Sequence, residues 1–119
     1  MTPDRQGDLS LESQLLAAAT GCDLSEEELT LIGERVWNLA RAIMAREGRT
    51  RDQDTLHDLF FREVGGEKAV SRPELERAKD RYYRLRGWDE RKGWPKKEKL
   101  RQLNLEDVAD ELARENLLP

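Results

Sequence analysis

The stretch Leu24-Ser25-Glu26-Glu27-Glu28-Leu29-Thr30-Leu31-Ile32-Gly33-Glu34-Arg35-Val36-Trp37-Asn38-Leu39-Ala40-Arg41-Ala42-Ile43-Met44-Ala45-Arg46-Glu47-Gly48 decides the fold class. Ser25 with Glu28 three residues later is a capping box, in which each side chain accepts the other residue's backbone N–H. Leu24 and Leu29 flank the cap as a hydrophobic staple, and Glu26 and Glu27 complement the positive end of the helix dipole. Leu29, Ile32, Val36, Leu39/Ala40 and Ile43 then recur at helical spacing, and Gly48 supplies the stop. About 22 residues at about 1.5 Å each predict a central rod of about 33 Å. Gly33 inside it costs about 1 kcal/mol against alanine, which predicts a close helix crossing there, covered by Trp37.

Working outward, Ser10–Thr20 reads as a preceding helix with an apolar stripe of Leu11, Leu15, Leu16, Ala18 and Ala19, stopped at Gly21. On the other side come a turn at 49–52, a short helix around Thr55–Arg62 carrying Leu56, Leu59 and Phe60, and a break at Gly65-Gly66. Ser71 and Glu74 form a second capping box with Pro73 in the first turn. The helix they open has Leu75, Ala78, Tyr82 and Leu85 as its expected apolar face, and Gly87 ends it. A loop with two tryptophans, Trp88–Pro95, leads to short helices at Lys97–Leu103 and Glu106–Glu115, the last packed through Val108, Ala109 and Leu112. No alternating strand pattern and no internal repeat occurs. The expectation is an all-α, irregular bundle of about five to six helices around one long helix. Residues 1–119 are read as a single domain, with 1–8 as a disordered tail.

The composition bears on what such a bundle can be. Hydrophobic residues are 37% and charged residues 39% of 119, against about 45–50% and about 25% in ordinary globular domains. The core is therefore thin, or burial is borrowed from a partner. The net charge of −4 is uneven: 72–101 carries 12 Lys/Arg against 6 Asp/Glu, leaving the remainder at −10. That asymmetry suggests a polar partner surface. No apolar run reaches membrane-spanning length, no secretory signal is legible, and one cysteine excludes an internal disulfide. A cytoplasmic setting without membrane contact is expected.

Chemistry is sparse. His57 is the single histidine and Cys22 the single cysteine, with no HxxxH or CxxC spacing. His57 reads as structural or solvated. Cys22, in the turn before the capping box, reads as a small buried apolar residue rather than an activated thiolate. No phosphate-cradling or nucleophile-elbow motif occurs. No catalytic, cofactor-binding or metal-ligating residue is assigned. Arg81-Tyr82-Tyr83-Arg84-Leu85-Arg86-Gly87-Trp88 interleaves cations and rings as single-strand nucleic-acid binders do, but the protein is acidic overall and Tyr82 falls on the expected apolar face. A stand-alone interaction or nucleic-acid-binding module using 72–101 is the alternative reading; nucleic acid is not the expected partner.

Three stretches together resemble a known family. They are Thr20-Gly21-Cys22-Asp23 through Gly33-Glu34-Arg35-Val36-Trp37-Asn38-Leu39 to Arg46-Glu47-Gly48; Thr50-Arg51 with Asp54-Thr55-Leu56; and Tyr82-Tyr83, Leu85-Arg86-Gly87-Trp88-Asp89, Gly93-Trp94-Pro95 and Leu105-Glu106-Asp107-Val108-Ala109. In this order, over about residues 9–112, they resemble the C-terminal helical part of tungsten-containing aldehyde:ferredoxin oxidoreductases. The resemblance implies oxidation of aldehydes to carboxylic acids, with electrons passed to ferredoxin. It also implies a tungstopterin and a 4Fe–4S cluster whose ligands lie upstream of the matched segment, so Cys22 matches no cluster ligand. The implied role is a separate fragment or small subunit, with the large subunit or missing domains supplied in trans and ferredoxin only an indirect partner. Arg35, Arg46, Arg51 and Arg86 are the candidate contacts to that partner. Trp37, Tyr82, Leu85 and Trp88 are the candidate structural anchors.

Overall fold

The computed structural model describes residues 7, 8, 10–63, 65, 66 and 68–119. The expected disordered tail, 1–8, lies outside the described residues apart from Gly7 and Asp8. Among the described residues the chain is all-α, with α1 (Leu11–Thr20), α2 (Glu26–Arg46), α3 (Arg72–Arg86), α4 (Lys97–Gln102) and α5 (Glu106–Arg114). Two 3-10 turns, Arg51–Gln53 and Asp58–Phe61, lie between α2 and α3. The chain divides into two compact units, one up to Val36 and one from Trp37 onward.

In the first unit α1 stops at Gly21, which takes a left-handed φ of 75° and donates its N–H to the Ala17 carbonyl. The Ser13 hydroxyl donates to the Leu24 carbonyl at 2.7 Å, holding the connection into α2. The capping box is present: the Ser25 N–H donates to the Glu28 carboxylate at 2.8 Å and the Glu28 N–H to Ser25 Oγ at 3.2 Å. Two expectations fail here. A Cβ on Gly33 would meet nothing within 4 Å, so no close crossing occupies that position. Cys22 is exposed, because the turn that holds it packs under no other element.

The second unit carries the apolar core. Ala42 of α2 packs with Leu100, Leu103, Leu105, Ala109 and Leu112, and Val108, Leu117 and Leu118 close its edge. Ser71 and Glu74 form the box that opens α3, and Gly87, with φ 70°, ends it. The expected helix at Thr55–Arg62 is instead the four-residue turn Asp58–Phe61, capped by His57, whose Nδ1 accepts the Leu59 N–H at 3.2 Å. Leu59 and Phe60 are exposed, so no burial extends that turn into an α-helix.

Burial on α2 and α3 departs from their expected apolar stripes. On α2 the buried residues are Asn38, Arg41, Ala42 and Ala45, whereas Ile32, Val36, Leu39 and Ile43 are exposed. On α3 only Tyr83 is buried, and the expected core stripe fails: Ala78 and Tyr82 are exposed and Leu85 is 73% exposed. Tyr83 is the α3 residue buried against Arg41 of α2, Tyr82 meets α2 only at the surface through the Trp37 indole, and Leu85 faces solvent. Leu100→Ala should therefore cost about 2–5 kcal/mol in urea unfolding, while Leu85→Ala should stay within about 0.5 kcal/mol of the parent protein.

Candidate functional site

The second unit is organised around a buried guanidinium. Arg41 is 6% exposed. Its Nε donates to the Gly93 carbonyl at 2.7 Å, and Nη1 and Nη2 grip both Asp54 carboxylate oxygens, Nη1 at 3.0 Å. Its Cζ lies 4.9 Å from the Trp88 ring centre and 5.9 Å from that of Tyr83. Burying this charge is tolerable because a bidentate carboxylate, a carbonyl and two ring faces replace its water.

Asp54 reaches the guanidinium from the 3-10 turn Arg51–Gln53. That turn is fixed by reciprocal Thr50–Gln53 capping, and the Asp54 N–H closes it on the Arg51 carbonyl. The carboxylate also accepts from Arg49 Nε at 3.0 Å and from the Tyr83 hydroxyl at 2.5 Å. Burial alone pushes the Asp54 pKa up, but the hydrogen bonds from Arg41, Tyr83 and Arg49 outweigh it and hold it at about 2. Burial and the neighbouring Asp54 push the Tyr83 phenol well above its usual value.

The loop after α3 completes the arrangement. The Trp88 indole N–H donates to Asn38 Oδ1 at 2.8 Å, with both residues fully buried. The Trp94 indole N–H donates to the Arg49 carbonyl at 2.9 Å. Gly93 sits at φ 71°, and a Cβ there would fall 2.6 Å from Arg41 Nη2 and 3.1 Å from Tyr83, so only glycine fits. Arg51 pins the same loop to α3: it donates to Asp80 at 2.5 Å, to the Glu90 carbonyl at 2.6 Å and to Glu76.

Above this floor lies a cleft of about 370 Å³ between α2 and α3, walled by Trp37, Met44, Leu75, Ala78 and Tyr82 over Trp88. The Trp37 indole N–H donates to the Tyr82 hydroxyl at 2.8 Å, and Trp37 stacks on Trp88 with ring centres 6.3 Å apart. A second groove of about 370 Å³ runs between α2 and α5 over Leu39, Ile43 and Val108.

Of the anchors expected from sequence, Trp88 is buried, Trp37 and Tyr82 are partly exposed cleft walls, and Leu85 points to solvent. Arg51 makes internal ion pairs with Glu76 and Asp80. Arg46 is exposed at the α2–α5 groove, Arg86 stacks over Tyr82 at 5.3 Å, and Arg35 is exposed on α2 in the first unit. Tyr83, Trp88 and Trp94 are buried, so these rings offer no stacking platform for bases. Sequence reasoning gave no structural role to Arg41, Asn38, Asp54, Tyr83 or Gly93; all but Arg41 entered only as residues of the family motifs. The available signal was Asn38, Arg41 and Ala45 at helical spacing, masked because Asn and Arg count as outward-facing.

The family model described as "Aldehyde ferredoxin oxidoreductase, domains 2 & 3" matches residues 1–105. The chain belongs to the aldehyde ferredoxin oxidoreductase family. The tungsten-containing aldehyde ferredoxin oxidoreductase of Pyrococcus horikoshii is 37% identical over 99 residues, covering 80% of this chain and 16% of its own length. That of Pyrococcus furiosus is 40% identical over 95 residues, covering 76% and 15%. Among solved structures, the active-site complex BamBC of benzoyl coenzyme A reductase, in complex with 1,5-dienoyl-CoA, superposes with a TM-score of 0.75 at 27% identity. The match covers 94% of this chain and 16% of that one. The chain of this oxidoreductase family member thus spans about one-sixth of its curated relatives' length.

Among the described residues, no three His, Cys, Asp or Glu side chains converge as metal ligands. Asp54, the most enclosed carboxylate of the cleft floor, is saturated by Arg41, Arg49 and Tyr83. These residues do not fit a tungsten centre or an iron–sulfur cluster, and no redox step is derived from them.

Two outcomes follow. Gly93→Ala should lower stability by at least about 2 kcal/mol in urea unfolding, from strained φ and overpacking against Arg41. Because the Asp54 pKa is lower in the folded protein than the usual value of about 3.9, its stabilisation is complete above about pH 4 and lost as pH falls through about 2. Asp54→Asn should flatten the stability curve in that window, as measured by urea midpoints at each pH.

Proposed function

We propose that this chain is the helical C-terminal part of a tungsten-dependent oxidoreductase that converts aldehydes to carboxylic acids and passes the electrons to ferredoxin. It acts as a packing and positioning module without catalytic residues of its own. The tungstopterin and iron–sulfur cluster belong to the remainder of the enzyme, carried as a large subunit in trans or as further domains. The setting is the cytoplasm; no helix among the described residues is long and apolar enough to cross a membrane.

The observation that carries this reading is the burial pattern on α2 and α3. Helices facing water have no use for Leu39 and Ile43 of α2 and Leu85 of α3, all of them exposed here. Exposed apolar rows bordered by charge mark surfaces that another chain covers. In a fold that matches 16% of a larger oxidoreductase chain, the remainder of such an enzyme is the natural cover. Identities of 37–40% to the aldehyde enzymes, against 27% to the benzoyl coenzyme A reductase complex, favour an aldehyde substrate.

Affinity purification of the tagged chain from its source cell tests this. It should recover an oxidoreductase polypeptide of the same family, tungsten, and aldehyde-dependent reduction of ferredoxin. Repeated recovery of the chain as a lone monomer, with the aldehyde-oxidising activity in other fractions, would remove the proposal.

A further inference from the structure

The first unit, up to Val36, takes its shape without a core. None of its described residues is buried, and burial on α2 begins only at Asn38. Its apolar side chains face water: Leu15 is 60% and Val36 63% exposed, and Leu11, Leu31 and Ile32 are exposed as well. Local bonds shape it. Ser25 and Glu28 cap α2, Gly21 stops α1, and the Ser13 hydroxyl is tied to the Leu24 carbonyl.

Helices of this length depend on burial. α1 has 10 residues, and a helix shorter than about 12–15 residues is marginal in water without a packed face. A capping box offsets only part of the backbone entropy lost in ordering such a segment. α2 differs along its length. Its second half is anchored through Asn38, Arg41, Ala42 and Ala45. Extending the helix from there toward Glu26 needs no new nucleus, but each turn added in that direction buries nothing.

Gly33 stands in the path of that extension. Glycine lowers the helical population by about fivefold relative to alanine. The site has no steric need for it, since its backbone is helical and a Cβ there would meet nothing within 4 Å. The weakest residue of α2 therefore falls in the part of the helix that nothing packs.

We propose that residues 10–36 form a folding arm: α1 and the first half of α2 open and re-form while the second unit stays folded, with Gly33 as the weak point of α2. A surface that covers Leu15, Leu31 or Val36 in helical form draws this equilibrium toward the ordered arm, by as much as it prefers that form. The behaviour belongs to the chain by itself, whether or not a larger enzyme contains it.

Amide hydrogen exchange on the purified chain, read by NMR, tests this. Protection at 15–18 and 31–36, inside α1 and α2, should be at least about a hundredfold below that of the hydrogen-bonded amides of Trp88, Leu105 and Ala109. A smaller ratio would overturn the arm. Gly33→Ala distinguishes local from cooperative opening. All three tryptophans lie at Trp37 or beyond, so their fluorescence reports the second unit. The substitution should slow exchange at 29–36 by up to about fivefold and leave the urea midpoint of tryptophan fluorescence unchanged. A raised midpoint would mean that the arm unfolds together with the second unit. That result, or unaltered exchange at 29–36, would equally overturn the proposal.

Discussion

The second unit depends on the burial of Arg41. A guanidinium removed from water needs partners for its nitrogens, and here they reach Asp54 and the Gly93 carbonyl beside the rings of Trp88 and Tyr83. Each partner comes from a different segment. Asp54 lies after the first 3-10 turn, Tyr83 on α3, and Trp88 and Gly93 on the following loop. One side chain of α2 thereby ties together the turn at 51–54, α3 and the 88–95 loop, beyond the core of six alanine and leucine side chains around α4 and α5. A buried charge of this kind specifies geometry more than it adds net stability, because removing either partner leaves the other stranded.

This polar centre also explains the outward apolar rows. With α2 turned so that Asn38 and Arg41 face inward, Leu39 and Ile43 necessarily lie on the other side. With Tyr83 turned toward Asp54, Leu85 turns to solvent, while Tyr82 stays at the cleft edge on Trp37. Beside the aliphatic core at α4 and α5, this centre is ordered by hydrogen bonds and rings, and Leu39, Ile43 and Leu85 stay exposed. The chain matches 16% of the length of its Pyrococcus horikoshii relative, and with 39% charged residues it has only a small aliphatic core.

The capping boxes at Ser25 and Ser71 and the glycine stops at Gly21 and Gly87 made the helices legible, because these signals are local and depend on backbone donors a few residues apart. The family was legible because its motifs fall at the turns and rings that hold the centre together, Asp54-Thr55-Leu56 and Gly93-Trp94-Pro95 among them. The burial pattern was not legible. Periodicity assigns a helix's apolar stripe to its own core, and nothing local shows that the stripe of α3 faces outward. Arg41 and Asp54 were overlooked for the same reason: their pairing joins residues 13 apart through a turn whose 3-10 geometry propensity does not reveal. Arg51 looked like a partner contact because an arginine in a turn is usually solvated, whereas Glu76, Asp80 and the Glu90 carbonyl enclose it.

A double-mutant cycle on Arg41 and Asp54, read by urea unfolding with Arg41→Met, Asp54→Leu and the combined variant, tests the organising role of this pair most directly. Each single change should cost about 3 kcal/mol or more by stranding a buried charge, and the combined variant should cost clearly less than the sum of the two. Single variants within about 0.5 kcal/mol of the parent protein, or costs that simply add, would contradict it.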